Sequence, residues 1–96
     1  MNTYIVAFTA QSGDPQAAAS WKNLSQAIQQ HPPWFQLGPA TWLVQTNVAV
    51  TDVGGFLAKL ISPNEIIQVG TVGFEAGPAI PWKTSPPNAL ESAWNP

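Results

Sequence analysis

The sequence predicts an α+β domain with the element order βαββαβ, and three observations predict it. Apolar runs of strand length lie at Tyr4–Thr9, Thr41–Thr46 and Glu65–Phe74. The intervals after the first and second runs carry apolar residues at helical spacing. Turn-forming clusters, rich in Gly, Pro, Asn and Ser, separate the elements.

Tyr4–Thr9 has Tyr4, Val6 and Phe8 on one face and Ile5 and Ala7 on the other, which suits a strand central in its sheet. Gln11–Gly13 turns the chain. Asp14 before Pro15 makes a helix start, because the carboxylate accepts from free amides and proline suits the first helical position. Ala17, Trp21, Leu24 and Ile28 then form one apolar stripe. His31-Pro32-Pro33 ends the helix, since a residue before proline is pushed out of the helical region. Trp34–Leu37 reads as a short strand, and Gly38-Pro39-Ala40 turns it into Thr41–Thr46. A second helix, capped by Thr51 or Asp52, places Val53, Phe56, Leu57, Leu60 and Ile61 on one face. Gly54-Gly55 inside it costs about 1 kcal/mol per glycine relative to alanine, so either the helix starts late or something approaches its backbone. Ser62-Pro63-Asn64 leads into the strand Glu65–Phe74.

This order is the ferredoxin-like arrangement, a four-stranded antiparallel sheet with both helices on one face. The first and third strands, central in such a sheet, are apolar on both sides, so the face without helices needs a lid or a partner. Residues 1–74 are expected to form the domain. Residues 75–96, rich in proline and carrying Trp82 and Trp94, are expected to form a tail that docks on the domain or on a partner subunit.

Composition limits the function. The 96 residues make one domain, which buries roughly 65% of its unfolded surface. Charged residues are 8% of the chain, where about 25% is usual. Arginine is absent, and the cations are Lys22, Lys59 and Lys83. Duplex binding rests on neutralising several phosphates, so this charge set argues against a nucleic-acid partner. The absence of cysteine excludes disulfides, thiolate catalysis and zinc–sulfur sites. The apolar run Tyr4–Ala10 is too short to span a membrane and lacks a basic flank, which fits a cytoplasmic protein with no membrane role.

The residues Thr41-Trp42-Leu43-Val44-Gln45-Thr46-Asn47, then Val53, Leu57 and Leu60, then Pro63-Asn64-Glu65, resemble a known family. They are similar to the SinR-like relatives of CRISPR-associated protein 2 and VapD, as are Trp34 and the opening strand Tyr4–Phe8. The resemblance spans about residues 3–74 and implies a prokaryotic or phage protein, a ferredoxin-like fold and a homodimer. Members of that family commonly hold a divalent metal with an aspartate at the end of the first strand. The matching position here is Thr9, which does not replace a carboxylate as a ligand for a hard cation.

The leading expectation is therefore a non-catalytic, homodimeric interaction or regulatory module without a cofactor. Its interaction residues are expected to be Trp34, Trp42, Phe74, Trp82 and Trp94, because tryptophan is enriched in interface hot spots. A protein partner is the other candidate for that surface. The alternative is a divalent-metal-dependent endoribonuclease with Asp14 and Asp52 as ligands. Glu65 also belongs to the acids weighed for a cation, although helix starts and a turn explain all three. His31 sits where it favours a helix dipole, no serine lies in a nucleophile elbow, and Gly70, Gly73 and Gly77 do not complete a phosphate loop.

Overall fold

The computed structural model describes residues 2–30, 33–73, 80 and 82. His31, Phe74 and Trp94, named above, lie outside the described residues, as does most of the expected tail. The elements are β1 (Asn2–Thr9), α1 (Ala17–Gln29), β2 (Trp34–Gly38), β3 (Thr41–Thr46), α2 (Val50–Ala58) and β4 (Ile66–Thr71). The sheet has the order β2-β3-β1-β4, and every neighbouring pair is antiparallel. The chain is thus α+β with a four-stranded antiparallel sheet and two helices, compatible with a ferredoxin-like fold.

Each helix connects strands separated by one intervening strand. From β1 through α1 the chain crosses β3 to reach β2, and from β3 through α2 it crosses β1 to reach β4. The two crossings run in opposite directions from antiparallel strands, so a single crossover hand places both helices on one face. Side-chain parity follows. Tyr4, Val6 and Phe8 of β1 and Trp42 and Val44 of β3 join Leu24 and Ile28 of α1 and Val53 and Leu57 of α2 in one buried core. Fully burying a large aliphatic or aromatic side chain contributes about 1.5–3 kcal/mol, so these residues dominate the stability.

Several boundaries differ from the sequence expectation for local reasons. Residues 15–16 form a turn rather than the first helical residues, and α1 opens at Ala17. The start of α2 is Val50, with Ala49 as the extended residue before it, so neither Thr51 nor Asp52 caps it. Its entry is set instead by Thr46, whose Oγ1 accepts from the Val48 amide at 3.1 Å, and by Tyr4, whose hydroxyl donates to the Val48 carbonyl at 2.7 Å. Strand β4 ends at Thr71, not at residue 74. One further bond, from the Val72 amide to the Thr3 carbonyl, uses up the ladder, because β1 begins at Asn2.

The glycine pair in α2 has neither of the reasons expected for it. The helix starts before it, and a Cβ on Gly54 would meet only Val69 Cγ2 at 3.9 Å, an ordinary contact. A Cβ on Gly55 would meet nothing within 4 Å. Gly55→Ala should therefore raise stability by about 1 kcal/mol, a shift of roughly 4–8 °C in a thermal melt. Trp42 is fully buried, and its indole N–H has no hydrogen-bond partner. Chemical denaturation of Trp42→Ala should show a loss of about 3–5 kcal/mol. Trp42→Phe should lose clearly less, because it also removes the orphaned donor.

Candidate functional site

Two places in this architecture carry functional content: the outer sheet face and one end of the sheet. The outer face follows from strand parity. Ile5 lies between Leu43 and Gly70, and Leu43 lies opposite Phe35, all on the side away from the helices. Ala7, Thr41 and Ile66 extend this face toward the end where β1 finishes. Leu43 at its centre is only 3% exposed, Ile5, Ala7 and Phe35 are half-buried, and Ile66 is 57% exposed.

The tryptophans expected to make contacts are distributed differently. Trp42 points into the core, where its ring lies 6.2 Å from that of Trp21 at 42°. Trp21 sits at the edge of that core and donates its indole N–H to the Pro39 carbonyl, tying α1 to the β2–β3 turn. Trp34 pairs with Val44 and packs half-buried against the same core, so it too faces the helices. Trp82 is half-buried, and its amide donates to the Ile80 carbonyl at 2.8 Å. Among the aromatic residues of the described strands, the one on the outer face is Phe35, which the sequence reading did not single out. Its signal was parity, since Trp34 and Phe35 are adjacent and only one of them can face the helices.

The second place is the end of the sheet where β1 finishes, α1 starts and β4 begins. Thr9 there pairs with Ile66 and is exposed. The Gln11–Asp14 turn, closed by the Asp14 amide donating to the Gln11 carbonyl at 3.1 Å, needs Gly13 at φ +83. It delivers Asp14, whose Oδ1 accepts from the Gln16 amide at 2.9 Å. From the α2–β4 connection comes Glu65, only 6% exposed, whose Oε1 accepts from the Ser62 amide at 2.7 Å. Burial pushes the Glu65 carboxyl up, but hydrogen bonds to the Ser20 side chain, the Ser62 backbone, the Asp14 side chain and the Ser62 side chain outweigh it. They hold it at about 2, against an ordinary 4.5.

Asp14 and Asp52, the ligand pair of the nuclease alternative, do not come together. Strands β1 and β3 are antiparallel, so the helices that follow them start at opposite ends of the sheet. Asp52 stands exposed in the first turn of α2, where it favours the helix dipole. Among the described residues, no three His, Asp or Glu side chains gather to hold a metal ion. No described helix is long and apolar enough to cross a membrane. A shallow hollow of about 430 Å³ beside Glu65 is lined by Ala58, Ile61, Ser62, Pro63, Ile66 and Ile67.

Compared with protein-family models, curated proteins and solved structures, the chain matches none of them.

The depressed Glu65 value has a defined consequence for acid stability. A carboxyl lower in the folded than in the unfolded chain contributes stability that is complete above about pH 4.5 and lost as the pH falls toward 2. Urea titrations between these values should show the loss in the unaltered chain, and Glu65→Gln should flatten that limb of the curve.

Proposed function

We propose that this protein is a non-catalytic interaction module of the ferredoxin-like class. In this reading it is a SinR-like relative of CRISPR-associated protein 2 and VapD, working in the cytoplasm as a homodimer. The occupant of the outer sheet face is a second copy of the chain, with the Trp82-bearing tail contributing to the contact.

The observation that carries the reading is the division of apolar residues between the two faces of the sheet. Both helices pack on Tyr4, Val6, Phe8, Trp42 and Val44, while Ile5, Ala7, Phe35 and Leu43 form a second apolar surface on the side away from α1 and α2. Contiguous apolar surface on a sheet is what protein contacts cover. The βαββαβ order with β1 and β3 central supports the ferredoxin-like assignment. Thr9 in place of a carboxylate and the separation of Asp14 from Asp52 weigh against the nuclease alternative. With three lysines and no arginine, a protein surface fits the charge pattern better than a phosphate backbone.

Light scattering coupled to size exclusion tests this directly. The expected mass is twice the 10.3 kDa of one chain. Phe35→Glu, on an edge strand, should give a folded monomer. A monomeric unaltered chain at micromolar concentration, or a dimer indifferent to Phe35→Glu, would remove the reading.

A further inference from the structure

Strands β2 and β4 are the edges of the sheet, and they are built differently. Strand β2 has a register shift between Gln36 and Gly38 and a proline on each flank, Pro33 and Pro39. Bulges and prolines are among the devices by which natural edges avoid further pairing. Strand β4 has neither. Ile66–Thr71 pairs with β1 in unbroken register and contains no proline and no charge.

The ladder shows which backbone groups of β4 are free. The Val72 amide donates to the Thr3 carbonyl, and bonded pairs alternate along an antiparallel ladder. Ile66, Gln68 and Gly70 therefore bond β1, while the amides and carbonyls of Ile67, Val69 and Thr71 point away from it. Among the described residues nothing pairs with them. The side chains of Ile67 and Val69 lie on the helix side, beside Phe8 and Val6. With Val50, Thr51, Gly54 and Ala58 of α2 they line a shallow hollow of about 350 Å³. It shares Ala58 and Ile67 with the hollow beside Glu65, so one largely apolar groove follows the seam between α2 and β4. Gly54 leaves room in it, since a Cβ there would meet only Val69 Cγ2.

We propose that this edge and groove bind an extended, uncharged segment of another protein, which joins the sheet antiparallel to β4. An extended chain offers donors and acceptors at the two-residue spacing of Ile67, Val69 and Thr71, whereas a helix uses its own internally. Residues of that segment directly opposite these three place their side chains on the helix side, so aliphatic residues at alternate positions fill the groove. Charge selects further. No basic side chain lines either hollow, Glu65 lines one, and the chain carries a net charge of -2, so an acidic segment is disfavoured. A second copy's β4 fits poorly, because its Ile67 and Val69 already pack against its own core. Residues 75–96 fit poorly too. Pro78, Pro81, Pro86 and Pro87 interrupt them, and the proline-free stretch 88–95 carries Glu91. The groove lies on the side of the sheet away from Phe35 and Leu43, so the inference goes beyond the proposed dimer and does not depend on it.

The test uses the full chain and a blocked peptide of about seven residues that alternates valine and serine. Amide exchange in the free chain should be fast at Ile67, Val69 and Thr71 and slow at Gln68 and Gly70. Saturating peptide should slow the first three by about tenfold or more and leave the Trp34 and Gln36 amides of β2 unchanged. N-methylation of the valines removes the donors that face β4, so it should weaken binding by about tenfold or more, whereas N-methylation of the serines should not. Replacing the serines with glutamate should also weaken it. Gly54→Leu fills the groove and should reduce binding by a similar factor without lowering the thermal midpoint. Phe35→Glu should bind the peptide as the unaltered chain does, so a failure of the dimer reading leaves this result standing. No protection by the peptide, or binding that survives methylation of the valines, would overturn the proposal. Slow exchange of the three amides in the free chain would overturn it as well, because the edge would already be occupied. A second copy is then the occupant where protection grows with concentration, and a segment of the same chain where it does not. The methylated peptides decide the matter on the unaltered chain even where a variant fails to fold.

Discussion

The alternation of side chains on the two central strands governs the rest of this molecule. Strands β1 and β3 pair Tyr4 with Val44 and Val6 with Trp42 on one face, and Ile5 with Leu43 on the other. Because the pleat has a period of two, apolar residues at successive positions must serve both faces. The helices satisfy one set, burying Val6, Trp42 and Val44 completely beneath Leu24, Ile28, Val53 and Leu57. The other set is left to whatever covers the second face. A register slip of one residue would exchange the sets and place Trp42 outside, so packing beneath the helices fixes the register of the whole sheet.

Long-range hydrogen bonds then fasten the connections to this frame. The Tyr4 hydroxyl reaches the Val48 carbonyl before α2, and the Trp21 indole reaches the Pro39 carbonyl between β2 and β3. Glu65 plays the corresponding part at the far end of α2, gathering Ser62, Ser20 and Asp14 around one carboxylate. In each case a polar atom on a largely buried or packed side chain stops a loop from moving independently of the core. The scarcity of charge follows the same pattern. With few ionic groups to place, the polar contacts among the described residues are made mostly by hydroxyls, amides and the backbone, and Asp14 and Glu65 each brace a connection by accepting from a backbone amide.

Much of this was legible in the residues. Strand β3 has the boundaries that its apolar run predicted, and the helices bury part of the stripes that their spacing predicted, Leu24 and Ile28 in α1 and Val53 and Leu57 in α2, whereas Trp21 is exposed and Leu60 and Ile61 lie beyond the end of α2. The helix starts were less legible because their determinants are not local. Thr46 and Tyr4 set the entry to α2, while the adjacent Thr51 and Asp52 only resembled caps. The candidate sites show the same limit. Asp14 and Asp52 looked equivalent along the chain, yet antiparallel pairing of β1 and β3 separates them, while pairing of β1 and β4 sets the start of β4, next to Glu65, beside the end of β1.

What the sequence determined by itself was the set of elements, their order and the two-sided apolar character of the central strands, all of which depend on residue type at short spacing. It also excluded thiol chemistry outright and gave little footing for binding a phosphate backbone, because cysteine and arginine are absent. The tertiary structure decided which way Trp34 and Trp42 face, that Phe35 rather than either of them reaches the outer face, and that Asp14 and Asp52 stand at opposite ends of the sheet. Strand pairing makes those choices, because it joins residues whose separation along the chain gives no local sign that they will touch.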